Sequence, residues 1–130
     1  EDYGHVFIKS DSRLDKSLSP YELPPLNEFH DLLHFASLYV GDGVSMAAEA
    51  ALLGTPSILV STLDWGYVKD LRDNYGLLYT CGDIDSAKNC ISALLTKTDL
   101  KSEWMNRREK MLSEKIDVVQ FAVDLIEKYE

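Results

Sequence analysis

Apolar residues fall along this chain in two rhythms. Short unbroken runs predict strands buried on both faces: His5-Val6-Phe7-Ile8-Lys9, Leu38-Tyr39-Val40, Ser57–Ser61 and Leu77–Thr80. Tyr21-Glu22-Leu23 reads as a further brief strand, stopped by Pro24-Pro25, which lack the donors a ladder needs. Elsewhere the period lengthens to that of a helix. Asn27 is an N-cap for a helix to about Ser37, with Phe29, Leu32, Leu33 and Ala36 on one face. Helices are also predicted from Ser45 to about Leu53 and from Trp65 to Tyr75, closed by Gly54 and Gly76, and from Asp83 or Asp85 to about Leu95. Ser102 to Tyr129 reads as helix in two pieces. Its Trp104, Met111, Leu112, Ile116, Val119, Ala122, Val123 and Ile126 make a face expected to cover the sheet.

Strands alternating with helices through short connections predict an α/β fold. The expected form is a three-layer Rossmann-like domain, with a parallel sheet of four or five strands and helices on both faces. A length of 130 residues with no linker suits one domain, residues 1–130. The chain starts at Glu1, without an initiator Met and almost directly at a strand, so the expectation is a fragment of a longer protein. No apolar run approaches the ~20 residues that span a bilayer, and no signal-peptide pattern opens the chain. The expected compartment is the cytoplasm.

Charge narrows the partners. Thirteen basic residues against 22 acidic ones give a net −9, a field that repels nucleic acid and anionic lipid. A small phosphorylated ligand stays possible, because a local nest of N–H groups outweighs a distant net charge. Cys81 and Cys90 are too few for a disulfide framework or a zinc site and read as a strand end and a buried helix face. His30 and His34 share a helical face at i, i+4. No Glu stands between them in an HExxH arrangement and no third ligand is evident, so no metal is expected. No nucleophile–His–acid set is visible.

The chemistry concentrates in Leu38–Pro56. Strand, glycine turn and helix follow one another through Gly41, Asp42, Gly43, Val44, Ser45 and Met46. Glycines allow a sharp turn and a close ligand approach. A helix N-terminus offers unpaired N–H groups and a positive dipole end to a phosphate, and the Ser45 hydroxyl can add a donor. Glu49 lies about one turn further on the same face, where a carboxylate can accept from the two hydroxyls of a ribose. Ala47, Ala48, Ala50 and Ala51 keep the helix slim. The plainer reading is a shaped turn, a capped helix and a solvated acid. The length of the conjunction, from strand to Gly-x-Pro, favours a ligand.

Two further loops follow strand ends, where ligands of open parallel sheets bind. Lys9 and Arg13 flank the end of the first strand, and Arg13 suits a forked contact with phosphate oxygens. Asp64-Trp65-Gly66-Tyr67 offers an aromatic pair that either stacks on a ligand or packs on the core.

The stretch resembles the nucleotide-sugar-binding half of GT-B glycosyltransferases and of the related UDP-N-acetylglucosamine 2-epimerases. It looks closest to the DUF354 group of GT-B-like proteins, whose pattern is a glycine turn, Ser or Thr, Met, then Glu-Ala-Ala-x-Leu-Gly-x-Pro. Ser45-Met46, Glu49-Ala50-Ala51 and Leu53-Gly54-Thr55-Pro56 carry that pattern, and a weaker likeness extends over Pro24–Gly82. One departure is Gly43-Val44, where such proteins often have two adjacent glycines; a side chain there restricts how closely a diphosphate approaches.

The resemblance implies the C-terminal half of a GT-B fold and a parent enzyme that transfers a sugar from a nucleotide-diphosphate donor such as a UDP-sugar. It implies no cofactor and a fragment that binds without turnover. Pro24–Asn27, including Leu26 and Asn27, would lie beside the base. Glu49 would hold ribose, Ser45 and the helix N-terminus the diphosphate, and Thr62–Tyr67 would face the sugar. An N-terminal domain of the same chain would complete the site and receive the last helix. Left without it, the face near Phe121, Leu125 and Tyr129 would pair two copies of the fragment. The alternatives are a nucleotide-sugar 2-epimerase and a non-catalytic α/β nucleotide-binding module.

Overall fold

A computed structural model describes residues 4–23, 27 and 29–129. Tyr39–Gly41 (β1), Ser57–Val60 (β2) and Leu78–Cys81 (β3) form a parallel sheet in that order, with Val40 opposite Ile58 and Ile58 opposite Tyr79. The helices are Phe29–Phe35 (α1), Val44–Leu52 (α2), Gly66–Lys69 (α3), which runs into a π-helical turn over Asp70–Asn74, then Ile84–Leu95 (α4), Leu100–Glu114 (α5) and Val118–Tyr129 (α6).

β2 is the core strand. Ser57, Ile58 and Leu59 are fully buried. The Ser57 hydroxyl donates to the Ala47 carbonyl of α2 at 2.8 Å, so Ser57 and Leu59 face α2 while Ile58 faces the other side. Complete burial of neighbours on opposite faces means both faces of β2 are covered, as an apolar parallel strand requires. The buried alanines of α2, at 47, 48, 50 and 51, let that helix lie close on the sheet. Gly54 ends it in the left-handed region at φ +81°. Its N–H donates to Ala51 at 3.0 Å and that of Thr55 to Ala50 at 2.9 Å, the paired bonds of a Schellman stop.

The sheet among the described residues has three strands, not four or five. The two N-terminal runs meet only at one parallel bridge, Ile8 with Glu22, held by Ile8 N–H to Tyr21 O at 2.7 Å and Leu23 N–H to Ile8 O at 2.8 Å. The reason lies in the runs themselves. Pro20 and Pro24 bracket a pairable stretch of three residues, and Val6 and Phe7 remain half exposed.

α5 does not lie on a sheet face as the periodicity suggested. It runs along the edge where the strands begin. Trp104 is fully buried there and its indole N–H donates to Leu77 O, just before β3, at 2.8 Å. Arg108 Nε donates to Leu52 O at the end of α2 at 2.7 Å, Arg107 to Gly76 O, and Lys101 to His34 O at the end of α1. Three cations thus satisfy carbonyls at the negative ends of three helical segments. The expected covering face stops at Met111: Leu112, Ile116, Val119, Val123 and Ile126 are exposed, and α6 has no buried residue.

Candidate functional site

In a parallel sheet every strand ends on one edge, and the following helix starts there. On that edge β1 ends at Gly41, the chain turns through Asp42 and Gly43, and α2 begins at Val44. Gly43 is the N-cap, at φ −75° and ψ 106°, and it has no side chain to cap with. The first intrahelical bond runs from Ala47 N–H to Gly43 O at 2.9 Å, leaving the N–H groups of Val44, Ser45 and Met46 without intrahelical partners. No acidic residue lies in this first turn.

α4 shows the contrast. There Asp83 accepts from Ser86 N–H at 2.7 Å and from the Ser86 hydroxyl at 2.9 Å, and so caps its own helix. The positive end of α2 has no such side-chain cap. Ser45 is exposed, and its hydroxyl makes no hydrogen bond among the described residues. Val44 packs against the core, Met46 is half-buried, and Asp42 is exposed.

Tyr39 belongs to this turn, though the sequence reading passed over it. Two residues apart on one strand, Tyr39 and Gly41 share a face. The phenol folds over Gly41, so that a Cβ there would meet the Tyr39 hydroxyl and stand 2.9 Å from Cζ. A Cβ on Gly43 would be 3.7 Å from the same hydroxyl. Burial, and secondarily the Asp42 carboxylate, push this phenol above its ordinary pKa, so it stays a donor at neutral pH. The period-2 spacing was the signal that placed it here.

Glu49 is half-buried on α2, and it has a partner that its sequence position did not reveal. Its Oε2 lies 3.2 Å from His30 Nε2 of α1. One turn on, His34 Nδ1 lies 3.1 Å from Leu53 O. The i, i+4 histidines are therefore two rungs between α1 and α2. A carboxylate and a carbonyl only accept, so the protons sit on Nε2 of His30 and Nδ1 of His34. Oε1 of Glu49 has no partner among the described residues.

The remaining candidates divide. Trp65 packs against the core cluster, whereas Tyr67 is half exposed on the first turn of α3. Asp64 is held by Lys69 at 3.1 Å and Arg72 at 3.6 Å, and Arg72 also donates to Thr80 Oγ1 at 3.0 Å. This loop lies beside the next: a Cβ on Gly82 would be 3.8 Å from the Thr62 methyl. Lys9 stands over the Phe29 ring at 4.9 Å. Arg13 is exposed and makes no hydrogen bond or ion pair among the described residues, so no contact ties it to the glycine turn. Asn27 is exposed at a bend before α1, and Pro24, Pro25 and Leu26 lie outside the described residues.

Among the described residues no three His, Cys, Asp or Glu side chains converge as a metal group, and no helix is long and apolar enough to cross a membrane. Cys81 is buried and Cys90 half-buried beside it. Burial first, then the neighbouring Cys81, raises the Cys90 thiol above its ordinary pKa and makes it a poor nucleophile. The strand-end edge thus offers uncapped amides, two hydroxyl donors and a partly free carboxylate, a set suited to a phosphorylated polyol. No protein-family model, curated protein or solved structure matches the chain.

Proposed function

We propose that this domain binds the nucleotide of a nucleotide-diphosphate sugar and forms the donor half of a GT-B-like glycosyltransferase. The observation that carries the proposal is the N-terminus of α2. Gly43 leaves it uncapped, Ser45 stands ready as a donor, and Glu49 lies one turn further along. The amides and the Ser45 hydroxyl take the diphosphate, and Glu49 takes the ribose hydroxyls. Donors fixed before the ligand arrives stabilise a leaving diphosphate without reorganising, the largest contribution such a site makes to catalysis. The acceptor site and the base come from a second domain, so this chain alone binds and does not turn over. The resemblance of the Glu49–Pro56 stretch to the DUF354 group supports the same reading. α6, whose apolar residues are all exposed, is the surface for that domain or, in its absence, for a second copy.

Calorimetric titration with UDP tests the site. Hydrogen bonds to a charged group are worth about 1.5–3 kcal/mol, so Glu49→Ala weakens UDP by about ten- to a hundredfold. The exposed His30–Glu49 contact contributes at most ~1 kcal/mol and Ala favours the helix, so the melting point stays close to wild type. Equal affinities for the two proteins remove Glu49 from the site. Amide shifts on adding UDP centre on Gly43–Ala47, and their absence at millimolar UDP removes the site altogether.

A further inference from the structure

The geometry points to His30 as a positioning residue that fixes the Glu49 carboxylate and thereby makes the site select ribonucleotides over 2′-deoxyribonucleotides. This rests on the reading of Glu49 as the ribose acceptor and adds the residue that aims it.

A glutamate in mid-helix samples many rotamers, and holding it in one conformation costs side-chain entropy. A ligand that must order the side chain gives up that amount of its affinity. His30 orders it in advance, with Nε2 at 3.2 Å from Oε2. His30 itself is anchored through its helix, because His34 bonds Leu53 O at 3.1 Å one turn along on both helices and so sets the register of α1 against α2. Thr55 adds to that register by donating to Leu33 O at 2.6 Å.

The carboxylate keeps the capacity the ribose needs. Two carboxylate oxygens offer about four lone-pair sites. The imidazole takes one of them on Oε2, leaving the other on Oε2 and both on Oε1. Two vicinal hydroxyls match the two oxygens, whereas a 2′-deoxyribose supplies one donor and leaves the second oxygen unmatched. An ordered carboxylate discriminates between these sugars more sharply than a free one, because a mobile side chain recovers solvent on whichever oxygen is left bare. A pair that merely ties the helices together would affect both sugars equally.

The test is titration of UDP and 2′-deoxy-UDP into wild type, His30→Ala, His30→Gln and Glu49→Ala, each with a melting curve. Wild type is expected to prefer UDP by about tenfold, the value of roughly one charged hydrogen bond. His30→Ala lowers that preference to about threefold or less, and His30→Gln, whose amide also donates, recovers part of it. Glu49→Ala abolishes it. If Glu49→Ala loses the preference while His30→Ala keeps it, or lowers affinity for both nucleotides by one factor, His30 has no positioning role. If Glu49→Ala keeps the preference, the ribose reading falls, and the role of His30 with it.

Discussion

Lys101 Nζ donates to the hydroxyl of Thr55 at 2.9 Å, and the same hydroxyl donates to Leu33 O at 2.6 Å. One fully buried side chain thus connects α5, the approach to β2 and the end of α1. Val matches Thr in shape and carries no hydroxyl. Thr55→Val leaves Leu33 O with only the longer bond from the Ala36 N–H at 3.3 Å, and Lys101, whose pKa burial already lowers, short of an acceptor. The expected loss is about 1–3 kcal/mol, a fall of several degrees in Tm. An unchanged melting curve would show that this junction does not hold α5 against the edge where the strands begin.

Gly43→Asp separates the ligand site from the fold. The backbone at φ −75° suits any residue, and a Cβ there meets nothing nearer than 3.7 Å. Aspartate is a good N-cap, so stability should hold or rise by a few tenths of a kcal/mol. Its carboxylate would occupy the amides assigned to the diphosphate in the proposed function and repel a phosphate as well. UDP affinity should fall at least tenfold, read by calorimetry beside the melting curve; wild-type affinity in this variant would mean that the α2 amides do not hold the diphosphate.

The acid limb of stability has a definite sign. The Ser86 N–H, and then its hydroxyl, hold Asp83 below the usual carboxylate range; Lys115 does the same to Asp70, Arg72 to Asp73 and Lys97 to Glu103. A depressed folded pKa means the unfolded chain takes up protons first as pH falls. These contributions are complete above about pH 5 and are lost below about pH 4, through the folded pKa values. Asp83→Asn caps the helix without titrating. The Tm gap between wild type and this variant should be constant at neutral pH and shrink below about pH 4, and a gap that widens there would reverse the assignment.

Phe121 and Leu125 lie four residues apart on α6, and both are about half exposed. Sedimentation velocity at rising concentration should show the isolated chain associating through this face. Phe121→Glu with Leu125→Glu should leave it monomeric without lowering Tm, since α6 has no buried residue. A wild type that stays monomeric at high concentration rules out this pairing.

Local patterns in the sequence found what local forces decide. Ser57–Val60 was legible because an unbroken apolar run has one use in a parallel sheet, and Gly54 and Gly76 because helices stop at residues free to take positive φ, here +81° and +61°. The glycine turn and the start of α2 were legible for the same reason. The N-terminal runs pair at a single bridge because a run of Val, Phe and Ile becomes a strand only where something covers it fully, and Val6 and Phe7 stay half exposed. The missing parts of the site are long-range. His30 meets Glu49 across 19 positions, and Lys101 meets Thr55 across 46, and neither leaves a trace in local periodicity. Tyr39 was within reach, since strand alternation alone puts it over Gly41.

The brace formed by α5 bears on how the protein can be made. Every partner it satisfies, from His34 to Leu77, leaves the ribosome before it does, because α5 begins at Leu100. While synthesis is still upstream of that point, the ends of α1 and α2 lack the cations that α5 supplies, and the place of Trp104 is open to water. Domains fold as units once their long-range contacts can close. The nascent βαβ segment therefore stays provisional until the last quarter of the chain emerges, and a stop codon before Leu100 should yield a chain for degradation rather than a smaller folded domain.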